Sequence, residues 1–460
     1  MSKYPFDEIV NHLVTSGFAY PGSEIYGGLA NSWDFGPLGT LMKEHLVRLW
    51  RDHFVRELGY NVEIDPAIIM NPKVWEATGH VQTFNDPLVD CKYCHARYRA
   101  DDLVKSQEPD LDVDGLTQDQ LEKEIESKKI VCPNCKKADF TPIRKFQLMF
   151  KTFLGVTEDQ SSVVYLRPET AQGIFVNWKN VLRTTRGKLP LGICDVGKSF
   201  RNEITPGQFI FRTREFEQME IEFFIKPGED DKWFAFYKDN CKAFVERMGL
   251  TDKNVRFRDH EPAELAFYSK ATTDIEYLFP WGWGELMGIA CRGDYDLSKH
   301  QEKSGADLTY LDPDTHEKYL PHVIEPSFGL GRLLLALWCD SYDVESLPKD
   351  DSRIVMHLKP RLAPYFFAVL PLSNKLASKA KEEVFDALKG AYDAVFDTTG
   401  SIGKRYRRED AIGTPYCLTY DFQSIDDHQV TVRERDSMSQ KRVPINDLPA
   451  YLAGKYQDKD

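Results

Sequence analysis

The sequence predicts an α+β protein with a Cys-rich insertion and a C-terminal α/β unit, and three observations carry that prediction. Residues 197–224, GKSFRNEITPGQFIFRTREFEQMEIEFF, read as two strands joined by a long loop. Two Cys-x-x-Cys pairs bracket a charged, helix-prone stretch inside residues 86–150. From about residue 360 onwards β-like and α-like segments alternate, the pattern of a parallel or mixed sheet with helices on its faces.

With 460 residues and 42% hydrophobic content, the chain can fill two or three packed domains. Its start, MSKYPFDEIVNHLVTSG, lacks a basic region followed by an apolar core, so no secretory signal is expected. No apolar run approaches membrane-spanning length. Nine cysteines, an odd number, argue against a disulfide framework and for a reducing, cytoplasmic setting. The net charge of −13 argues against nonspecific coating of DNA or RNA, while leaving room for a local basic surface that docks one RNA.

Taken in order, residues 6–17 and 38–58 predict helices, the second from Leu41, Leu46, Leu49, Trp50 and Phe54 at helical spacing. GYNVEIDP then predicts a short strand, and WEATGH (75–80) a small-residue loop. In the insertion, CKYC (Cys91, Cys94) and CPNC (Cys132, Cys135) supply four thiolates, enough for one closed tetrahedral zinc site without an open position for substrate. Arg97 and Arg99 follow the first pair. VVYL (163–166) predicts a strand, and RPETAQG a turn that places Glu169 before a helix.

On the first strand of the hairpin, Arg201 and Glu203 are two apart and so share a face. The loop carries Pro206, Gly207, two aromatic residues and Arg212. On the return strand Phe216, Gln218, Glu220 and Glu222 point one way, and Met219, Ile221 and Phe223 point the other, towards a core. A guanidinium, a ring and carboxylates on one face suit the phosphate, base and amino groups of a nucleotide. Residues 228–249 predict a packing helix. FPWGWGELMGIACRGDYDL predicts a glycine-rich turn and a strand on which Leu286, Gly288, Ala290 and Arg292 share a face, with Glu285 on the opposite face by parity. HVIEPSFGLGR predicts a strand with Glu325 and Ser327 on one face, a Gly329–Gly331 turn open to close approach, and Arg332 at the start of a hydrophobic helix. In the C-terminal part, Lys404, Arg405, Arg407, Arg408, Arg433, Arg435, Lys441 and Arg442 make the chain locally basic.

The long helix with G-Φ-x-x-Φ-x-x-P, the F-R-N-E…R-E-F hairpin and E-P-S-F-G-L-G-R resemble, in order, motifs 1, 2 and 3 of the class IIa aminoacyl-tRNA synthetases. WEATGH and RPETAQG resemble amino-acid loops of that family. The resemblance covers nearly the whole chain, and the combination with ELMGIACR is similar to the glycine-specific members that are single-polypeptide homodimers. It implies an antiparallel six- or seven-stranded sheet flanked by helices: catalytic parts at 1–85 and 151–355, the insertion at 86–150, and an anticodon-binding domain at 361–460. It further implies ATP with Mg²⁺, glycine and tRNA(Gly) as substrates and partners, and a homodimer, beside the structural zinc read from the cysteine pairs.

By that resemblance Arg201, Glu203 and Arg332 are catalytic. Arg201 would hold the α-phosphate, Arg212 and Arg332 the outer phosphates, and Phe216 the adenine, with Glu203 near its amino group. Asn202, Phe211, Leu286, Gly329, Leu330 and Gly331 complete the ATP set. Glu285 and Glu325 are candidates for Mg²⁺; for Glu285 to reach ATP the resemblance requires a bulge or a strand that starts later. Glycine would meet Glu169, Glu220 and Glu325 through its ammonium, Arg292 through its carboxylate, and Ser327 at its Cα. Arg99, Phe216, Glu217, Gln218, Met219 and Gly329 are the remaining expected contacts. A catalytically silent relative serving as an RNA-binding subunit would be expected to lose the ATP arginines, and all three are present.

Overall fold

Seven strands form the central sheet of the computed structural model, which describes residues 3–457 apart from 110, 112, 114, 115, 263, 264 and 266–268. In chain order they are β1 (Asn61–Glu63), β2 (Leu191–Phe200), β3 (Glu215–Ile225), β4 (Val255–Asp259), β5 (Ala271–Phe279), β6 (Gly282–Gly293) and β7 (His322–Gly329). Their order across the sheet is β4-β5-β6-β7-β3-β2-β1. Every pairing is antiparallel except β1 with β2, so the expected antiparallel sheet has one parallel edge. The helix predicted over 38–58 is α-helical over Pro37–Trp50 and continues as a π-helix over Arg51–Glu57.

The return strand of the hairpin explains the layout. Met219, Ile221 and Phe223 are fully buried in the main core, where the Phe328 ring lies 5.0 Å from Phe54 and 5.9 Å from Trp50. Burying a side chain of this kind stabilises by about 1.5–3 kcal/mol. The opposite face is also buried, yet it carries Gln218, Glu220 and Glu222. Carboxylates in a dry layer are costly unless paired, so that face must be stabilised by specific partners.

Two local expectations change. β2 ends at Phe200, so Arg201 and Glu203 lie in the loop, not on a strand face. On β6, Ile275 pairs with Met287 but Glu276 pairs with Glu285, which leaves Leu286 as a bulge residue. The extra residue reverses the parity and brings Glu285 to the face of Gly288, Ala290 and Arg292.

The insertion has its own three-stranded sheet, of Asn85–Asp90, Arg97–Arg99 and Arg144–Gln147, and a small core that includes Val89, Leu103, Val104, Leu121 and Ile130. Its helix Gln118–Ser127 starts at a capping box between Thr117 and Gln120.

The C-terminal sheet contains β8 (Phe367–Pro371), β9 (Ala394–Phe396), β10 (Tyr416–Tyr420), β11 (Gln429–Glu434) and β12 (Gln440–Pro444) in the order β9-β8-β10-β11-β12. The first three are parallel. The basic surface expected here is largely internal structure. Arg433 is buried and grips Asp410 at 2.7 and 2.9 Å, and the same carboxylate takes Arg353 at 2.8 Å. Arg435 is buried on the carbonyls of Gly413 and Leu358, and Arg405 on those of Pro371 and Asp397. Arg407, Arg408 and Arg442 are paired with Asp351, Asp397 and the Asp421–Asp427 pair. Lys404 and Lys441 remain exposed. Among the described residues no helix is long and apolar enough to cross a membrane.

Candidate active site

The polar face of the central sheet is a set of cross-strand rows. One row runs Asp195 (β2), Glu220 (β3), Ser327 (β7), Gly288 (β6), Asp274 (β5). Cross-strand partners share a face, so residues more than a hundred positions apart converge. Glu220 accepts from Ser327 Oγ (2.6 Å), Gln218 Nε2 (2.8 Å), the Thr170 main-chain N–H (3.1 Å) and the Thr170 hydroxyl. Burial and the nearby Glu169 raise its pKa.

The RPET turn supplies Thr170 and Glu169 together. Glu169 lies 3.4 Å from His80 Nε2 and accepts from Gln172 Nε2 at 2.9 Å. Burial works against its ionisation, but His80, Arg292 and Gln172 hold it well below the usual carboxylate range. Gln172 also donates to Asp296 (2.9 Å), and its carbonyl faces His300 Nε2 (2.8 Å). Arg292 then closes the network: two nitrogens bind Asp296 at 2.8 and 2.9 Å, and Nη1 binds both oxygens of Glu325 at 2.9 and 2.8 Å.

This changes several assignments. Arg292 is clamped between two carboxylates, so it is not presented to a substrate carboxylate as expected. Glu325 accepts from Arg292 with both oxygens and does not line the adjacent arginine cleft, so it sits in the acidic pocket and not at the expected Mg²⁺ position. Arg99 is held by Asp86 and Asp101 (3.5 and 2.5 Å), beside Asp102, and so is committed to the insertion. The side chains of Met219, Leu286 and Leu330 are buried in the core, leaving only their main chain for a ligand. His80, Thr170, Gln172, Asp296 and His300 were not singled out from the sequence. Asp296 stood four residues after Arg292, and Thr170 and Gln172 lay inside RPETAQG, which are the signals that point to them.

Next to this pocket lies a cleft lined by residues including Arg201, Glu203, Phe211, Arg212, Phe216, Glu217, Glu285, Gly329, Gly331 and Arg332. Arg201 is held by the Pro168 carbonyl at 3.0 Å, with its guanidinium carbon 5.3 Å from the Phe216 ring centre and 5.4 Å from that of Phe84. The main-chain N–H of Asn202 is tied to the Leu148 carbonyl (2.7 Å). Arg332 stacks over Phe211 (4.5 Å) and reaches Glu285 Oε2 at 2.9 Å. Glu285 is lowered because Arg332 outweighs the effect of burial, whereas neighbouring Asp274 is pushed up to about 6 by burial and the Glu285 charge. Arg212 lies 3.6 Å from Asp102 of the insertion. Asn31, absent from the sequence-based set, clamps the loop by donating to the carbonyls of Phe209 (2.9 Å) and Arg212 (2.8 Å).

In the insertion, Cys91, Cys94, Cys132 and Cys135 bring their sulfurs within 4.8 Å of one another, with two pairs at 3.5 Å. A tetrahedral zinc with Zn–S bonds of about 2.3 Å needs S–S edges of about 3.8 Å, so the cluster fits a four-thiolate metal site.

A cleft with three arginines on a motif-2-like hairpin and motif-3-like turn, beside a closed acidic pocket on the same sheet, defines a class II aminoacyl-tRNA synthetase. Residues 152–340 match the tRNA synthetase class II core domain (G, H, P, S and T), and residues 367–455 match an anticodon binding domain. The chain is 56% identical over 453 residues to the glycine–tRNA ligase of Alkaliphilus oremlandii, covering 98% of each chain. It is 57% identical over 454 residues to that of Clostridium acetobutylicum (98% of each), and 57% over 453 to that of Geobacillus thermodenitrificans (98% of this chain, 97% of the relative). The chain belongs to the glycine–tRNA ligase family.

Proposed function

We propose that the protein attaches glycine to tRNA(Gly) through a glycyl-adenylate. In the first step a glycine carboxylate oxygen attacks the α-phosphorus of ATP and pyrophosphate leaves. In the second a terminal tRNA hydroxyl attacks the adenylate carbonyl and AMP leaves. Neither step needs a protein nucleophile; positioning the reactants in line and offsetting the developing charge suffices. Arg201, Arg212 and Arg332, which line the cleft, would take the phosphates. Phe216 and Glu203 flank the cleft for the base. Glu285 with Asp274 is a carboxylate pair suited to Mg²⁺, which when bound would neutralise phosphate charge. The observation that carries the reading is the acidic pocket of Glu169, Glu220 and Glu325 beside that cleft. Gly288 and Ala290 face it with almost no side-chain bulk, and Ser327 is tied to Glu220, which leaves room for an ammonium on a bare Cα. Glycine-dependent exchange of pyrophosphate into ATP tests it; exchange driven equally by serine or threonine would redirect the assignment.

The same reading extends to a zinc ion on the four cysteines and to a homodimer. The dimer is supported by an apolar loop in which Ile25 and Tyr26 are 88% and 86% exposed. Native mass spectrometry should find an assembly of twice the 53.0 kDa chain mass carrying two zinc ions. A metal-free assembly would remove the zinc, and a monomer the dimer. All nine cysteines are free, in keeping with a cytoplasmic enzyme.

For tRNA, the buried arginines of the C-terminal domain cannot read bases. The carboxyl ends of its parallel strands can. There Leu372, Phe422 and Ile425 are exposed, the Leu372 N–H donates to the Tyr420 carbonyl, and Lys375, three residues after Leu372, is exposed. One exposed ring with apolar neighbours and a lysine suits an unpaired base. Phe422→Ala should lower charging by about tenfold, on about 1–3 kcal/mol per stacked base, and leave pyrophosphate exchange unchanged. An equal fall in both reactions would place the loss in the catalytic body.

A further inference from the structure

Glu222 has no role in the chemistry above, yet it is fully buried on the same face of β3 as Glu220. The β3–β7 register, which pairs Glu220 with Ser327 and Phe223 with Ile324, sets Glu222 directly across from Glu325. Carboxylate oxygens of Glu220, Glu222 and Glu325 lie within 4.8 Å of one another. Two acids opposed in a dry sheet do not both stay ionised.

The partners decide which one holds the charge. Glu325 receives both of its hydrogen bonds from Arg292, and Glu220 is bonded by Ser327, Gln218 and Thr170. Neither oxygen of Glu222 accepts a hydrogen bond from any described residue. On its other side β2 offers only apolar Ile193. The charged groups near it are Glu220 on its own strand, Glu325 on β7, Arg292 on β6 and Asp296 on the helix Tyr295–Ser304. Arg292 is the single cation among these four, and its guanidinium is directed at Asp296 and Glu325.

Resting on the glycine reading of this pocket, we propose that Glu222 is a neutral carboxylic acid in the working enzyme. It is a positioning residue whose hydroxyl donates to Glu325 and steadies that carboxylate between Arg292 and the substrate ammonium. Burial and the Glu325 charge both push its carboxyl well above the usual range, in the same direction. One fewer negative charge in the pocket keeps Glu325 and Glu220 from repelling each other through a third anion, and so fixes the geometry that an ammonium meets.

The amide of glutamine copies a neutral acid in shape and in having a donor. In the full-length protein near neutral pH, the infrared carbonyl band of protonated carboxyl groups should be weaker in Glu222→Gln than in the wild type by the share of one group. Glycine-dependent pyrophosphate exchange of Glu222→Gln should stay within about threefold of wild type, while Glu222→Ala should lose about tenfold or more through the missing donor. ATP binding, measured separately, reports that both variants are folded. An infrared band unchanged by Glu222→Gln overturns the proposal. So does a glutamine variant as impaired as the alanine one while still binding ATP. Failure of the glycine reading would show differently, as a wild type without glycine-dependent exchange, while the infrared result would still report the protonation of Glu222.

Discussion

Glu220→Gln will lose glycine activation by at least about a hundredfold while ATP binding persists. Glu220 is an acceptor for three side-chain donors and one main-chain N–H, and no cation touches it. No cation pairs with it directly in the free enzyme, so the carboxylate is available to an ammonium. An amide in its place turns one oxygen into a donor that faces other donors, and removes the charge. A hydrogen bond to a charged group is worth about 1.5–3 kcal/mol, and an unsatisfied buried partner costs about 1–3 kcal/mol more. At about 1.4 kcal/mol per tenfold, the two together amount to about two to four powers of ten. Pyrophosphate exchange at saturating ATP, with equilibrium ATP binding as the control, measures it. Activation within tenfold of wild type would mean that the ammonium is bound elsewhere.

Arg332→Ala should lower the rate of adenylate formation by about 10²–10³-fold, the range for removing one preorganised charge stabiliser. Arg332 is oriented before substrate arrives, by the Phe211 ring under its guanidinium and by both the main-chain carbonyl and the carboxylate of Glu285. Lysine should not rescue it, because an ammonium can neither stack on Phe211 in the same way nor bridge Glu285 and a phosphate with a planar fork. Single-turnover adenylate formation by the alanine and lysine variants decides this; a lysine variant near wild type would show that charge alone suffices. Because the side chain is only partly buried, the fold should tolerate the change.

The local alphabet of the fold was legible in the sequence. Strict alternation over 216–223 separated the Met219–Ile221–Phe223 face from the Gln218–Glu220–Glu222 face because side chains on a strand alternate whatever else surrounds them. The helix around Leu46 and Trp50, the paired cysteine knuckles and the Gly329–Gly331 turn before Arg332 likewise follow from spacing within a few residues.

What the sequence could not settle is who pairs with whom. The bulge at Leu286 depends on the register with β5, a strand outside the motif it corrects. Arg292 read as an open anion site because Asp296 and Glu325 come to it only through a helix turn and a neighbouring strand. Arg433 and Arg435 read as surface charge, yet buried Asp410 and two carbonyls claim them. Charge and polarity are properties of single residues and can be read from the chain. Whether a charge is free or spent depends on long-range partners and on exclusion of water, and these exist only once the strands have chosen their neighbours.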